Sequence, residues 1–451
     1  MNRRQFLGQS GKVFVGIGVG AALATHNRPA RADKANDKII MGIIGVGGRG
    51  RDTGRAFCQR EDVEIKYACD ADLKRIGDFP NQLERIQNKP VKAVQDMRVV
   101  FDDPEVDAVL ITTCDHWHGL ATIWACQAGK DVYVEKPASH NIWEGRKMVE
   151  AVEKYQRVVQ VGMQNRSAPY VQAARDYIAS GELGDVPLIK VFNMKGGGKF
   201  RMPENSDAPE GLDYKLWLGP APSRPYNAAH CHAGWKKFWA YSGGDMADDG
   251  VHQLDIARMI MGDHPAPGAV NGSGGRIAFD DDREVPDTQV VSYEFENHVM
   301  TFELTQFGPY MHKTPPEVRD TDKLPNWPQN ATRIEVYGTK GMMYLGRHGG
   351  GWQVLKENGK VVDQYYGRQT SAEHRANFLD CVRSRKTPNA HIEIGHQSAS
   401  LVHLGNLAVR MGGARLEYDR TQEAITNNEQ AQNNELRKRN YRDGFTVPEE
   451  V

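Results

Sequence analysis

The chain has 451 residues, 57 Lys plus Arg against 58 Asp plus Glu, and 39% hydrophobic residues. That length exceeds the roughly 250–300 residues that one core fills, so at least two domains are expected, and the balance excludes a basic nucleic-acid-binding surface and a disordered composition. Six cysteines without a Cys-x-x-Cys pair exclude a disulfide scaffold and a thiolate metal site.

The first 32 residues hold five basic side chains and no acidic one, leaving 52 basic against 58 acidic groups beyond them. They read Asn2-Arg3-Arg4-Gln5-Phe6-Leu7, an apolar run over 13–24, then Ala30-Arg31-Ala32. About 12 apolar residues fall short of the roughly 20 that span a bilayer, and the ending fits a small-residue cleavage site. The segment 1–32 reads as a twin-arginine signal peptide cleaved after Ala32, with the twin-arginine translocase as export partner. A folded, periplasmic protein with no membrane insertion is expected.

Residues 38–44 form a short apolar run that stops at Gly45-Val46-Gly47-Gly48-Arg49-Gly50, and 52–59 can continue as a helix. Strand, glycine turn and helix in that order suit a dinucleotide pyrophosphate, because glycines admit the tight turn and the close approach of backbone to anion. A second strand over 63–69 ends at Asp70, 20 residues past Gly50, where a carboxylate can accept both adenosine ribose hydroxyls. This favours NAD; Lys74 and Arg75 nearby leave NADP the lesser alternative.

The alternation continues with strands over 108–113, 131–134 and 158–161 and helices over 118–128 and 143–154, the pattern of a doubly wound parallel sheet. Two polar segments fall beyond strand ends, where such sheets hold ligands: Cys114-Asp115-His116-Trp117-His118 and Glu135-Lys136-Pro137. A Rossmann domain over 33–161 is expected, then a second domain over 162–419 and a polar, mostly solvated arm over 420–451. Between 193 and 241 the chain is rich in aromatic residues, including Trp217, Trp235 and Trp239, with His230, His232, Lys195 and Lys236. Aromatic faces with a few polar groups suit a sugar, and loop packing accounts for any single Trp equally well.

Oxidising a secondary alcohol with NAD needs a base for the hydroxyl proton and a cation for the developing alkoxide. Lys136 and His252 suit these tasks, and Asp248, four residues before His252, shares its face on a helical turn. Asp245, Asp249 and Asp255 compete for the carboxylate role, and a helix N-cap explains one of them equally well. His116 and His118 form an H-x-H, but no third ligand is apparent, so no metal is assigned.

Four segments in order, GVGGRGR, CDHWHG, EKP and GGDMADDGVHQLD, together with GTKG (338–341) and HRANFLDCVRSR (374–385), resemble the glucose-fructose oxidoreductase, inositol dehydrogenase and MocA family (Gfo/Idh/MocA) from residue 38 onward. The resemblance implies a Rossmann domain followed by an α/β domain on a large open antiparallel sheet, a carbohydrate or cyclitol substrate, and a homo-oligomer. It places the family's catalytic lysine on Lys136 and its D-x-x-x-H pair on Asp248 and His252. It also implies cofactor contacts at Gly45, Gly47, Gly48, Arg49, Gly50, Asp70, Asp115, His116, Trp117, His118, Glu135, Lys136 and Asn165. The leading expectation is an NAD-dependent oxidoreductase with tightly retained NAD recycled in place. The rival is an NAD-dependent glycosidase, whose members in the resembled family lack the EKP lysine and the D-x-x-x-H pair.

Overall fold

Short apolar runs ending in glycine or polar residues build a six-stranded parallel sheet in the computed structural model, which describes residues 38–451. The expected signal peptide lies outside the described residues. The strands are β1 (Ile39–Ile44), β2 (Val63–Cys69), β3 (Lys92–Val94), β4 (Ala108–Ile111), β5 (Asp131–Val134) and β6 (Val159–Val161), in the order β3-β2-β1-β4-β5-β6. Every residue of β4 and β5 is buried, as helices on both faces of a parallel sheet require. Strand order reverses between β1 and β4, so their carboxyl ends open the crevice where ligands bind in such sheets.

Two helices start earlier than the apolar pattern predicts. Helix Gly48–Cys58 begins inside the glycine turn, and helix Asp115–Gln127 begins three residues before the expected 118. In the second case Asp115, His116 and Trp117 are all buried, so polar residues that read as loop form the first turn of a covered helix.

The second sheet holds β7 (Leu188–Met194), β8 (Ala269–Gly275), β9 (Thr288–Glu294), β10 (Val299–Thr305), β11 (Arg333–Tyr337), β12 (Met342–Gly346), β13 (Trp352–Leu355), β14 (Val361–Tyr365), β15 (Leu416–Asp419) and β16 (Ala424–Ile425). Their order is β14-β13-β12-β11-β7-β10-β9-β8-β15-β16. The ladders are antiparallel except that β7 and β10 run parallel. Burial alternates along β9 and β10, the pattern of a sheet covered on one face. Helices Val251–Ile260 and Ile392–Arg410 pack on that face. The expected fold class, a Rossmann domain followed by a large, mainly antiparallel sheet, is the one observed. No helix among the described residues is long and apolar enough to cross a membrane.

The segment 420–451 departs from the solvated arm expected of its polar composition. Ile425, Leu436, Phe445 and Val447 are buried, and Ile142 and Trp143 donate their backbone N–H groups to Leu436 O and Arg437 O. Buried Arg439 forms an ion pair with buried Glu144, Nε and Oε1 being 2.8 Å apart with the N–H not aimed at the oxygen. Arg439 also donates from Nη2 to His116 O at 2.8 Å. Phe445 packs edge-on against Trp117, ring centroids 5.6 Å apart. The arm is therefore a strap over the first domain, anchored by apolar residues spaced too far apart to show as a periodic run.

Candidate active site

The turn after β1 is shaped by two positions that exclude side chains. Gly45 adopts φ +88°, and a Cβ there would lie 2.8 Å from the Thr112 backbone; a Cβ on Gly50 would lie 1.9 Å from Gly45 O. The helix that follows has Gly47 as its N-cap, with no side-chain cap and no acidic residue in its first turn. Its leading N–H groups are therefore left for an anion. Asp70, at the end of β2, accepts from Val46 N at 2.9 Å and from Asp72 N at 3.1 Å, while Arg75 lies 3.9 Å away. Burial raises the Asp70 pKa, opposed by the Asp72 and Val46 N–H groups and by Arg75. Glycine turn, uncapped helix and carboxylate line one cleft of about 390 Å³. This set fits NAD: the first turn can hold its pyrophosphate and Asp70 its ribose hydroxyls.

The same cleft is also lined by Arg49, Asp115, Trp117, His118, Glu135 and Lys136, joined from the second domain by Asp248 and Lys236. Arg49 Nε lies 3.6 Å from Glu135 Oε1, which holds its pKa up. Lys136 Nζ donates to Asp248 Oδ1 at 2.9 Å and also to the Asp248 carbonyl. Lys236 Nζ donates to the same Oδ1 at 2.7 Å. Burial opposes ionisation of Asp248, but the two ammoniums outweigh it and hold its carboxyl well below the usual range. Asp115 accepts from Ser242 Oγ at 2.6 Å, and burial pushes its pKa up.

His252 opens the helix Val251–Ile260 and is 2% exposed, with Nε2 lacking any hydrogen-bond partner. Burial first, then the positive charges of Arg347 and Lys136, push its pKa well below that of an ordinary imidazole. The ring is neutral around pH 7, and His252 is buried behind the cleft rather than among the residues that line it. The expected pairing with Asp248 is not formed, since no hydrogen bond joins these two side chains. The reason is local: residues Met246–Gly250 form a π-helical turn, whose wider winding breaks the i, i+4 alignment that an α-helical turn would give.

The remaining expected contacts divide. His118 faces Pro137 O at 2.7 Å and Thr113 O at 3.2 Å. His116 turns away into the protein, its Nε2 at 3.0 Å from Trp217 O, and burial with nearby Arg439 lowers its pKa to about 3. The two histidines thus point to different partners. Gly50 serves the packing of helix on strand rather than lining the cleft. Asn165 is not brought to the cleft either: its amide donates to Tyr170 Oη at 2.9 Å and to Arg347 O at 2.7 Å. It positions the backbone that carries Arg347.

Of the aromatic residues between 193 and 241, Trp217 and Trp235 line the cleft, whereas Trp239 sits beneath Arg410. Sequence reasoning missed Arg347 and Lys313, both paired with Asp249. Only the number of candidate aspartates around 245–255 signalled that cations would gather there.

Comparison with known proteins bears on this geometry. Residues 39–163 match the family described as oxidoreductase family, NAD-binding Rossmann fold, and residues 175–287 and 335–447 match its C-terminal α/β domain. The second match runs into the strap. Scyllo-inositol 2-dehydrogenase (NAD(+)) of Bacillus subtilis is 28% identical over 305 residues, 65% of this chain and 72% of that protein. A glycosyl hydrolase family 109 protein of Shewanella pealeana is 29% identical over 174 residues, 35% of this chain and 38% of that protein. The crystal structure of the WlbA dehydrogenase from Bordetella pertussis, in complex with NADH and UDP-GlcNAcA, superposes with a TM-score of 0.61 at 19% identity, covering 85% of this chain and 99% of that one.

Proposed function

The chain belongs to the Gfo/Idh/MocA oxidoreductase family and binds NAD, and from that premise we propose that it oxidises a secondary alcohol of a sugar, glycoside or cyclitol. The observation that carries this reading is the Lys136 ammonium, held by Asp248 in the same cleft that Asp70 lines, with buried His252, its Nε2 unpartnered, sensing the Lys136 charge. NAD, held by the 45–50 glycine turn and Asp70, would supply the hydride acceptor for the carbinol carbon. Lys136 donates a hydrogen bond to the substrate hydroxyl and stabilises negative charge developing on its oxygen. His252, kept neutral, accepts the hydroxyl proton at Nε2. Asp248 positions Lys136 and Lys236 rather than His252. Trp217 and Trp235 give the sugar an apolar wall.

The similarity to scyllo-inositol 2-dehydrogenase supports a ring secondary alcohol as the reacting group. The twin-arginine reading of residues 1–32 adds a periplasmic site of action, where free NAD does not circulate, so the cofactor stays bound and is regenerated by a second substrate. Initial-rate measurements should then give ping-pong kinetics with no requirement for added NAD. Obligatory ternary-complex kinetics with exchangeable NAD would contradict the recycling.

The likeness to a family 109 glycosyl hydrolase motivates a second reading, net hydrolysis of a glycoside through transient oxidation and elimination. Product analysis separates the two: a keto-sugar with reduced cofactor indicates the dehydrogenase, and free sugar plus aglycone without net reduction indicates the glycosidase. Homo-oligomerisation belongs to the same proposal and is read by light scattering of the purified protein.

A further inference from the structure

Around Asp245, Asp248 and Asp249 more cations gather than these carboxylates neutralise. Buried Asp249 accepts from Lys195 Nζ at 3.0 Å and faces Arg347 Nη1 at 2.9 Å, and Lys313 Nζ is paired with it as well. Lys195 also reaches Asp245 at 2.9 Å, and Asp248 is shared by Lys136 and Lys236. Three carboxylates therefore meet five cations, before the positive nicotinamide of NAD is counted.

The donors are not used up within the protein. Only Nη1 of the Arg347 guanidinium meets protein acceptors among the described residues, Asp249 and the His348 ring, although its side chain is 10% exposed. Asn165 and Tyr170 fix the Arg347 carbonyl at 2.7 and 3.3 Å, so the arginine is held from behind. Lys313, at 35% side-chain exposure, uses one of its three donors on Asp249. Burial lowers the Lys313 pKa; Asp249 raises it, while Lys195 and Arg347 lower it, the mark of a cation crowded by others. A neutral sugar reaching this cluster would offer these donors hydroxyl groups alone. A planar carboxylate matches the fork of a guanidinium and can also take a point charge from lysine.

We propose that the substrate is an acidic sugar, a hexuronic acid or its glycoside, whose carboxylate docks on Lys313 and Arg347. This rests on the oxidoreductase reading of the same site, and binding can be measured apart from turnover. The test is isothermal titration of the NADH-loaded protein with methyl glucuronide, methyl glucoside and glucose 6-phosphate. The glucuronide should bind at least tenfold tighter than the glucoside. That preference should collapse in Lys313→Gln and persist in Lys313→Arg, with melting temperature and retained cofactor confirming that both variants fold. Equal affinity for the acid and the neutral glycoside, no measurable binding of the acid, or an equal loss for both in Lys313→Gln would overturn the proposal. Tighter binding of glucose 6-phosphate than of the glucuronide would also overturn it, by assigning the cations to a phosphate. Selective binding of a glucuronide that fails to reduce the NAD-loaded enzyme would support the anion site while removing the oxidoreductase reading.

Discussion

Lys136 and Asp248 stand 112 residues apart in the chain and meet at 2.9 Å, so one hydrogen-bonded ion pair ties the end of β5 to the π-helical turn of the second domain. The contact fixes the lysine ammonium in the wall of the cofactor cleft.

Removing the Asp248 charge should change how stability depends on pH. The folded-state pKa of Asp248 is depressed, so its contribution is fully present above the ordinary carboxylate range, near pH 4, and is lost as the pH falls below it. Asp248→Asn should therefore destabilise the protein most at neutral pH, with the gap to wild type narrowing on acidification. Urea midpoints at pH 7 and pH 3.5 read this directly; a gap that widens toward pH 3.5 would refute the assignment.

The rate should show no ionisation at the ordinary histidine pKa. Burial, with Arg347 and Lys136, keeps His252 neutral down to well below about pH 6.5. The acid limb of kcat/KM for wild type is expected below that value. An acid limb centred near 6.5 that disappears in His252→Gln would show that the imidazole titrates normally.

Asp70→Ala should move cofactor preference toward NADP. The substitution removes the carboxylate that binds the ribose hydroxyls and repels a 2′-phosphate, and leaves Arg75 in place. A ten- to hundredfold change in the ratio of the two affinities, measured on cofactor-free protein, is the expected size. An unchanged ratio would place ribose recognition elsewhere.

The strap should matter for stability. Phe445→Ala deletes a buried ring packed on Trp117, and such truncations cost about 3–5 kcal/mol. Because Trp117 lines the cleft, retained NAD should fall with it. Wild-type melting and full cofactor retention in Phe445→Ala would mean that the segment is only loosely attached.

Much of the first domain is legible in the sequence because its signals are local. The glycine turn, the acidic end of β2 and the lysine after β5 each occupy a few adjacent residues, and Gly50 is required by its contact with Gly45 O inside that turn. The helix at Asp115–Gln127 starts with residues that look like loop, since their burial comes from the second domain and the strap, as in His116 against Trp217 O and Arg439. The spacing of Asp248 and His252 suggests a shared face only if the turn is α-helical, and one wider turn undoes that inference. Arg347, Lys313 and Lys195 converge on Asp249 from the end of β12, the segment after β10 and the end of β7. No window along the chain contains them together. Asn165 fits a cofactor role by position in the family resemblance, yet its amide is satisfied by Tyr170 and the Arg347 carbonyl.

The role of Lys136 is tested most directly by following the absorbance of the bound nicotinamide after mixing the purified, NAD-loaded protein with a panel of glucuronides, glucosides and cyclitols, in wild type and in Lys136→Met. Reduction of the bound cofactor with formation of a keto product is expected in wild type. In Lys136→Met the rate should fall by about 10²- to 10⁴-fold while NAD and fold are retained. An unchanged rate of reduction in Lys136→Met would contradict the assignment.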